Sequence, residues 1–147
     1  MREATFNALG SLGVLEDATV LDLFAGTGAM GIEALSRGAA HATFVDHDPR
    51  AVAAIRTNLD AAGFAERADV VRADAVRHAA TAAAVDLAVL DPPYAFDAWP
   101  SLLAPLPAAL AVVESDRDVD PGEPWAVIRS RRYGSTVVTI VRREVPA

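Results

Sequence analysis

Residues Leu21–Gly31 read LDLFAGTGAMG, and the fold turns on what lies on either side of them. Upstream, "TVLDLF" (19–24) is a short apolar run of strand character. Downstream, "GAMGIEALSRG" (28–38) carries the longer pattern of a helix. Gly26, Gly28 and Gly31 stand in the spacing G-x-G-x-x-G at the junction. Glycines there let the backbone turn sharply and approach a ligand closely, and the helix that follows opens with unpaired N–H groups.

The same alternation continues along the chain through "HATFVD", "PRAVAAIRTNLDAAG", "ADVVRAD", "AVRHAATAAA" and "VDLAVLD". Strands taking turns with helices predict a parallel sheet covered on both faces. Asp48 is placed to cap the helix that opens at Pro49, and Gly38 and Gly63 close helices. "WPSLLAPLPAALAVVESD" reads as a helix broken by Pro105 and Pro107, then a strand near 110–114. The end, "WAVIRSRRYGSTVVTIVRRE", reads as two strands turning at 133–135, an antiparallel hairpin. One domain over residues 1–147 is expected.

With 52% hydrophobic and 22% charged residues the chain can bury a core, and neither a membrane span nor a signal peptide is legible, so a cytoplasmic protein is expected. No cysteine is present and the three histidines are scattered, which excludes disulfides and thiolate chemistry and argues against a metal site. The net charge of −7 opposes nucleic-acid binding, but five of the thirteen arginines fall after residue 128. Strand alternation would place Arg129 and Arg131 on one face of that basic tail and Arg132 on the other.

Carboxylates decide the ligand. Asp22, just before the glycine loop, is unfavourable beside a pyrophosphate and favourable beside a ligand carrying an ammonium and a sulfonium, as S-adenosylmethionine does. Asp46, ending "FVD", suits two ribose hydroxyls. Asp74, ending "VRAD", suits either an adenine amino group, with the N–H of Ala75 meeting the ring, or a helix cap. The candidate cofactor residues are Asp22, Phe24, Ala25, Gly26, Thr27, Gly28, Asp46, His47, Asp74 and Ala75.

The fourth strand delivers "DPPY", Asp91, Pro92, Pro93 and Tyr94, to the same edge. An exocyclic amine on a nucleobase is a poor nucleophile because its lone pair is delocalised into the ring. Asp91 and the carbonyl of Pro92 can both accept its protons, proline stiffens the turn, and Tyr94 offers a face for a base to stack on. These four are the candidate catalytic residues.

"DLFAGTGAMGIEALSRGA", "FVDHDPRAVAAIRTNL", "DLAVLDPPY", "REATFNAL" and "RRYGSTVVTIV" together resemble the RsmD family, bacterial 16S ribosomal RNA guanine-N2 methyltransferases. The resemblance implies the Rossmann-like class I methyltransferase fold with a mostly parallel seven-stranded sheet. It also implies S-adenosylmethionine on Asp22, Gly26, Gly28 and Asp46, a catalytic element at 91–94, and 16S RNA or a partly assembled small subunit as partner. Members carry a basic segment ahead of the "REALFN"-like stretch, where this sequence has Met1, so that extension is expected to be absent. An adenine-N6 DNA methyltransferase, a nicotinamide-dependent reductase and a non-catalytic nucleotide-binding module are the rival readings; the sequence is silent on oligomeric state.

Overall fold

A computed structural model describes residues 1–93 and 95–144. Seven strands, β1 (Thr19–Leu23), β2 (His41–Asp46), β3 (Ala68–Arg72), β4 (Val85–Leu90), β5 (Ala108–Ser115), β6 (Trp125–Tyr133) and β7 (Thr136–Arg143), form one sheet in the order β3-β2-β1-β4-β5-β7-β6. The first five are parallel, and β7 runs antiparallel between β5 and β6. Among the described residues no helix is long and apolar enough to cross a membrane, and no cluster of side chains could hold a metal ion.

Alternation along each strand sorts the core into two layers. Val20, Phe44, Val89 and Val112 face one side, where α1 (Arg2–Ser11), α2 (Ala29–Ser36) and α3 (Pro49–Ala62) contribute Phe6, Leu9, Leu35, Ile55 and Leu59. Leu21, Leu23, Val45, Leu90 and Val113 face the other, packed with Ala75 and Ala79 of α4 (Ala75–Thr81), Leu102 and Leu103 of α5 (Trp99–Leu103), and Trp125. Helix α3 forms where expected: Asp48 Oδ1 accepts from Arg50 N–H at 2.8 Å, Pro49 occupies the first turn, and Gly63 closes it at φ 78°.

Two elements depart from the sequence pattern. The stretch before β1, which lies outside the strand–helix alternation, is helix α1, held by the burial of Thr5, Phe6 and Leu9. Helix α4 stops at Thr81 instead of running through the next three alanines. Ala82 is extended (φ −69°, ψ 152°) because the chain must reach β4, where Val85 N–H meets the Pro107 carbonyl at 2.9 Å. Tertiary pairing outweighs alanine's helix preference there.

In the hairpin a register shift separates Val127 from Arg129, and regular pairing resumes to Tyr133. The alternation expected for Arg129, Arg131 and Arg132 therefore holds. Part of the basic tail serves the fold: Arg143 stacks over Trp125 at 4.6 Å and donates to the Leu106 and Ala108 carbonyls.

Gly31 is where α2 meets the sheet. A Cβ there would overlap the fully buried Phe44 ring and stand 3.1 Å from Asp22 Oδ2. Gly31→Ala is expected to destabilise the chain by about 1–3 kcal/mol, as overpacked cores do. Thermal denaturation should show a midpoint lowered by several degrees; an unchanged midpoint would refute this close approach.

Candidate active site

Strand register brings the site together. Leu23 lies beside Val45 on one side and Leu90 on the other, and Leu90 lies beside Val113. The residues that come next, Phe24, Asp46, Asp91 and Glu114, therefore emerge side by side at the carboxyl edge, where ligands of open α/β sheets bind.

The glycine loop is tied to this edge through its backbone. Ala25 N–H donates to the Val45 carbonyl at 3.0 Å, extending the β1–β2 pairing by one step. Gly26 N–H donates to Asp46 Oδ2 at 2.9 Å, and Asp48 N–H to Asp46 Oδ1 at 3.0 Å. Asp46 thus braces two loops, and each oxygen keeps a lone pair for a further donor. Phe24 turns the chain with φ 58°, a conformation unfavourable for a bulky residue, and Gly28 caps α2 at φ 83°.

Two clefts open here and share a wall. One, of about 450 Å³, is lined by Asp91, Pro92, Glu114, Ser115 and Thr136 on one flank and by Phe24, Asp46, His47 and Pro93 on the other. The second, of about 330 Å³, shares Phe24, Asp46, His47 and Pro93 and is closed by Asp74, Ala75, Val76 and Phe96. Phe96 stacks edge-on between Phe24 and Trp99, with ring centroids 5.3 and 4.9 Å away, which gives the second cleft an aromatic side.

The lining is acidic. Asp22 lies beneath the loop, 3% exposed, with its Oδ2 accepting from Gly31 N–H at 3.0 Å. Burial holds its carboxyl well above the usual carboxylate range, the Gly31 hydrogen bond opposes this, and the charges of Asp91, Glu114 and Asp46 raise it further. Asp91 is also raised, by partial desolvation, against a hydrogen bond from Glu114 that favours its ionised form. Glu114 is pushed up to about 7 by burial first, then by the Asp91 charge and their shared hydrogen bond.

The other anticipated residues fall in different places. Asp74 caps α4, its Oδ2 accepting from Arg77 N–H at 3.0 Å, and it also borders the second cleft with Ala75. His47 is exposed at the shared rim. Thr27 faces away, lining a separate groove with Arg2, Glu33 and Asn58, and its carbonyl accepts from the Asn58 amide at 2.8 Å. Tyr94 lies outside the described residues. Glu114 and Phe96 were not anticipated. Glu114 had a legible signal: like Asp46 and Asp91, it is a lone acid ending an apolar strand.

The family model described as conserved hypothetical protein 95 matches residues 1–142. The Bacillus subtilis protein YlbH is 34% identical over 157 residues, covering 97% of this chain and 84% of YlbH. The Escherichia coli K12 ribosomal RNA small subunit methyltransferase D is 32% identical over 155 residues, covering 98% of this chain and 77% of that protein. The chain belongs to the RsmD family of methyltransferases. The solved structure of Escherichia coli yhhF agrees with a TM-score of 0.87 at 31% identity, covering 97% of this chain and 84% of that one. Both the RsmD-family membership and the seven-stranded methyltransferase fold expected from the sequence are thereby shown.

The acidic cluster makes stability depend on pH. Between pH 4.5, the ordinary value for a glutamate, and about 7, the folded chain keeps a proton on Glu114 that the unfolded chain releases. Stability contributed by this group therefore falls as pH rises through that window. Glu114→Gln, which stays neutral, should flatten the decline in melting temperature. Parallel slopes for parent and variant would show that Glu114 does not titrate there.

Proposed function

We propose that this RsmD-family enzyme transfers the methyl group of S-adenosylmethionine to the exocyclic N2 amine of a guanine in 16S ribosomal RNA. The observation that carries the reading is that Asp91 and Pro92 line the first cleft and lead directly into Pro93, which belongs to the wall shared with the second cleft; one cleft suits a nucleoside cofactor and the other is open to a base. The name of the Escherichia coli relative supports the small-subunit RNA as substrate.

The residues present fit the cofactor. Among the described residues no arginine lines either cleft, Asp46, Asp74, Asp91 and Glu114 line them between them, and Asp22 lies buried beneath the loop. That field favours an ammonium and a sulfonium and disfavours the pyrophosphate of a dinucleotide. Asp46 would hold the ribose, Asp74, Ala75 and Phe96 would border the adenine, and Gly26, Gly28 and Asp22 would lie at the amino-acid end. When bound, S-adenosylmethionine supplies a methyl group already activated by its sulfonium.

The protein's own contribution is placement and charge. Asp91 and the Pro92 carbonyl accept the two protons of the amine and so point its nitrogen at the shared wall. As the nitrogen gains positive charge, the Asp91 carboxylate stabilises it and then accepts the proton it must lose. A hydrogen bond from Glu114 favours the ionised form of Asp91, against the desolvation that disfavours it. Tyr94 is assigned to stack the base on the strength of its place in the 91–94 motif.

Asp91→Ala should abolish most methyl transfer to 16S RNA or a partly assembled small subunit, while calorimetry finds cofactor affinity within about twofold of the parent. Asp46→Ala should do the reverse first, weakening the cofactor by about 1–3 kcal/mol, the range for a hydrogen-bonded charged acceptor. Mass-spectrometric mapping should find N2-methylguanine as the product. Methylated adenine, or parental turnover without Asp91, would refute the assignment.

A further inference from the structure

Glu114 is a carboxyl of the cleft to which the chemistry above gives no contact with the substrate. It is 6% exposed, it lines the cleft with Asp91, Pro92, Ser115 and Thr136, and its Oε1 is buried with no hydrogen-bond partner among the described residues. The adjacent strands β4 and β5 set it beside Asp91, since Leu90 pairs with Val113.

The cleft therefore presents two neighbouring acceptors, an oxygen of Asp91 and an oxygen of Glu114. The Watson–Crick edge of guanine presents two neighbouring donors, the N2 amine and the N1–H. Adenine presents an amine beside a bare N1, which is an acceptor and would face Glu114 lone pair to lone pair. We infer that Glu114 determines specificity for guanine by accepting the N1–H of the base whose N2 amine is held by Asp91. The inference rests on the guanine-N2 reading above and deepens it: Asp91 selects an amine, and Glu114 selects the ring that carries it. In its ionised form Glu114 offers the base acceptors only. A site built to bond a ring N–H rejects an analogue lacking it far more strongly than an apolar pocket could.

The probe is a target RNA in which the methylated guanine, once mapped, is replaced by 2-aminopurine. That base keeps the N2 amine and stacking face but has no N1–H. The parent should methylate guanine at least about tenfold better than 2-aminopurine, as loss of a well-made base-edge contact implies. Glu114→Ala and Glu114→Leu should lower kcat/KM on guanine and bring the two RNAs within about threefold, with cofactor affinity measured alongside to confirm folding. The leucine variant fills the space that alanine leaves open. Glu114→Gln, which still offers an oxygen, should preserve the preference for guanine. Variants that lack the carboxyl yet keep both the parental rate and the parental preference overturn the inference alone. A parent that methylates no RNA guanine overturns the underlying reading and the inference with it.

Discussion

The hydrogen bond from Gly31 N–H to the buried carboxyl of Asp22 holds the site to the fold. It joins the first turn of α2 to the middle of β1, and it forms only because Gly31 lacks a Cβ that would strike Phe44. With the helix pinned, the intervening residues 24–30 have little freedom, and the positive φ angles of Phe24, Gly26 and Gly28 are the backbone's way of spanning the gap. The loop in turn rests on Asp46 through Gly26, so that β1, β2 and α2 become one rigid bracket. The cost is a carboxylate kept from water, reduced by the helix end it faces.

Much of this could be read before any coordinates. Local chemistry was legible where one residue decides one turn, as with the Asp48 cap, Pro49 and Gly63, or Asp46 at the end of its strand. Asp74 was open between two roles, and its bond to Arg77 N–H shows that it caps a helix while still bordering a cleft. Features that depend on distant parts of the chain were not legible. Glu114 matters because of its register with β4 and its burial, and neither is encoded in the few residues around it. Helix α4 ends early for the same kind of reason, because the next strand must begin at a fixed place.

The basic tail shows why charge counts alone mislead about partners. Arg143 spends its hydrogen bonds on the Leu106 and Ala108 carbonyls and its plane on Trp125, closing the far end of the core. Arg129 lies against the Tyr133 hydroxyl at 3.3 Å, and Arg131 donates to the Ser130 carbonyl. Only part of the positive charge there faces outward for an anionic partner.

The irregularity between Val127 and Arg129 lies on β6, the outermost strand of the sheet on that side. Val127 and Ile128 are exposed at that point, and a flat apolar border with open N–H and C=O groups would invite another copy to add on strand by strand. The shift in pairing twists this border and breaks its regular spacing, and Arg129, Arg131 and Arg132 follow it at once with like charges that repel a second copy. A single slipped residue thereby makes the short Val127–Ile128 border a poor template for strand addition, two strands away in the sheet from Glu114.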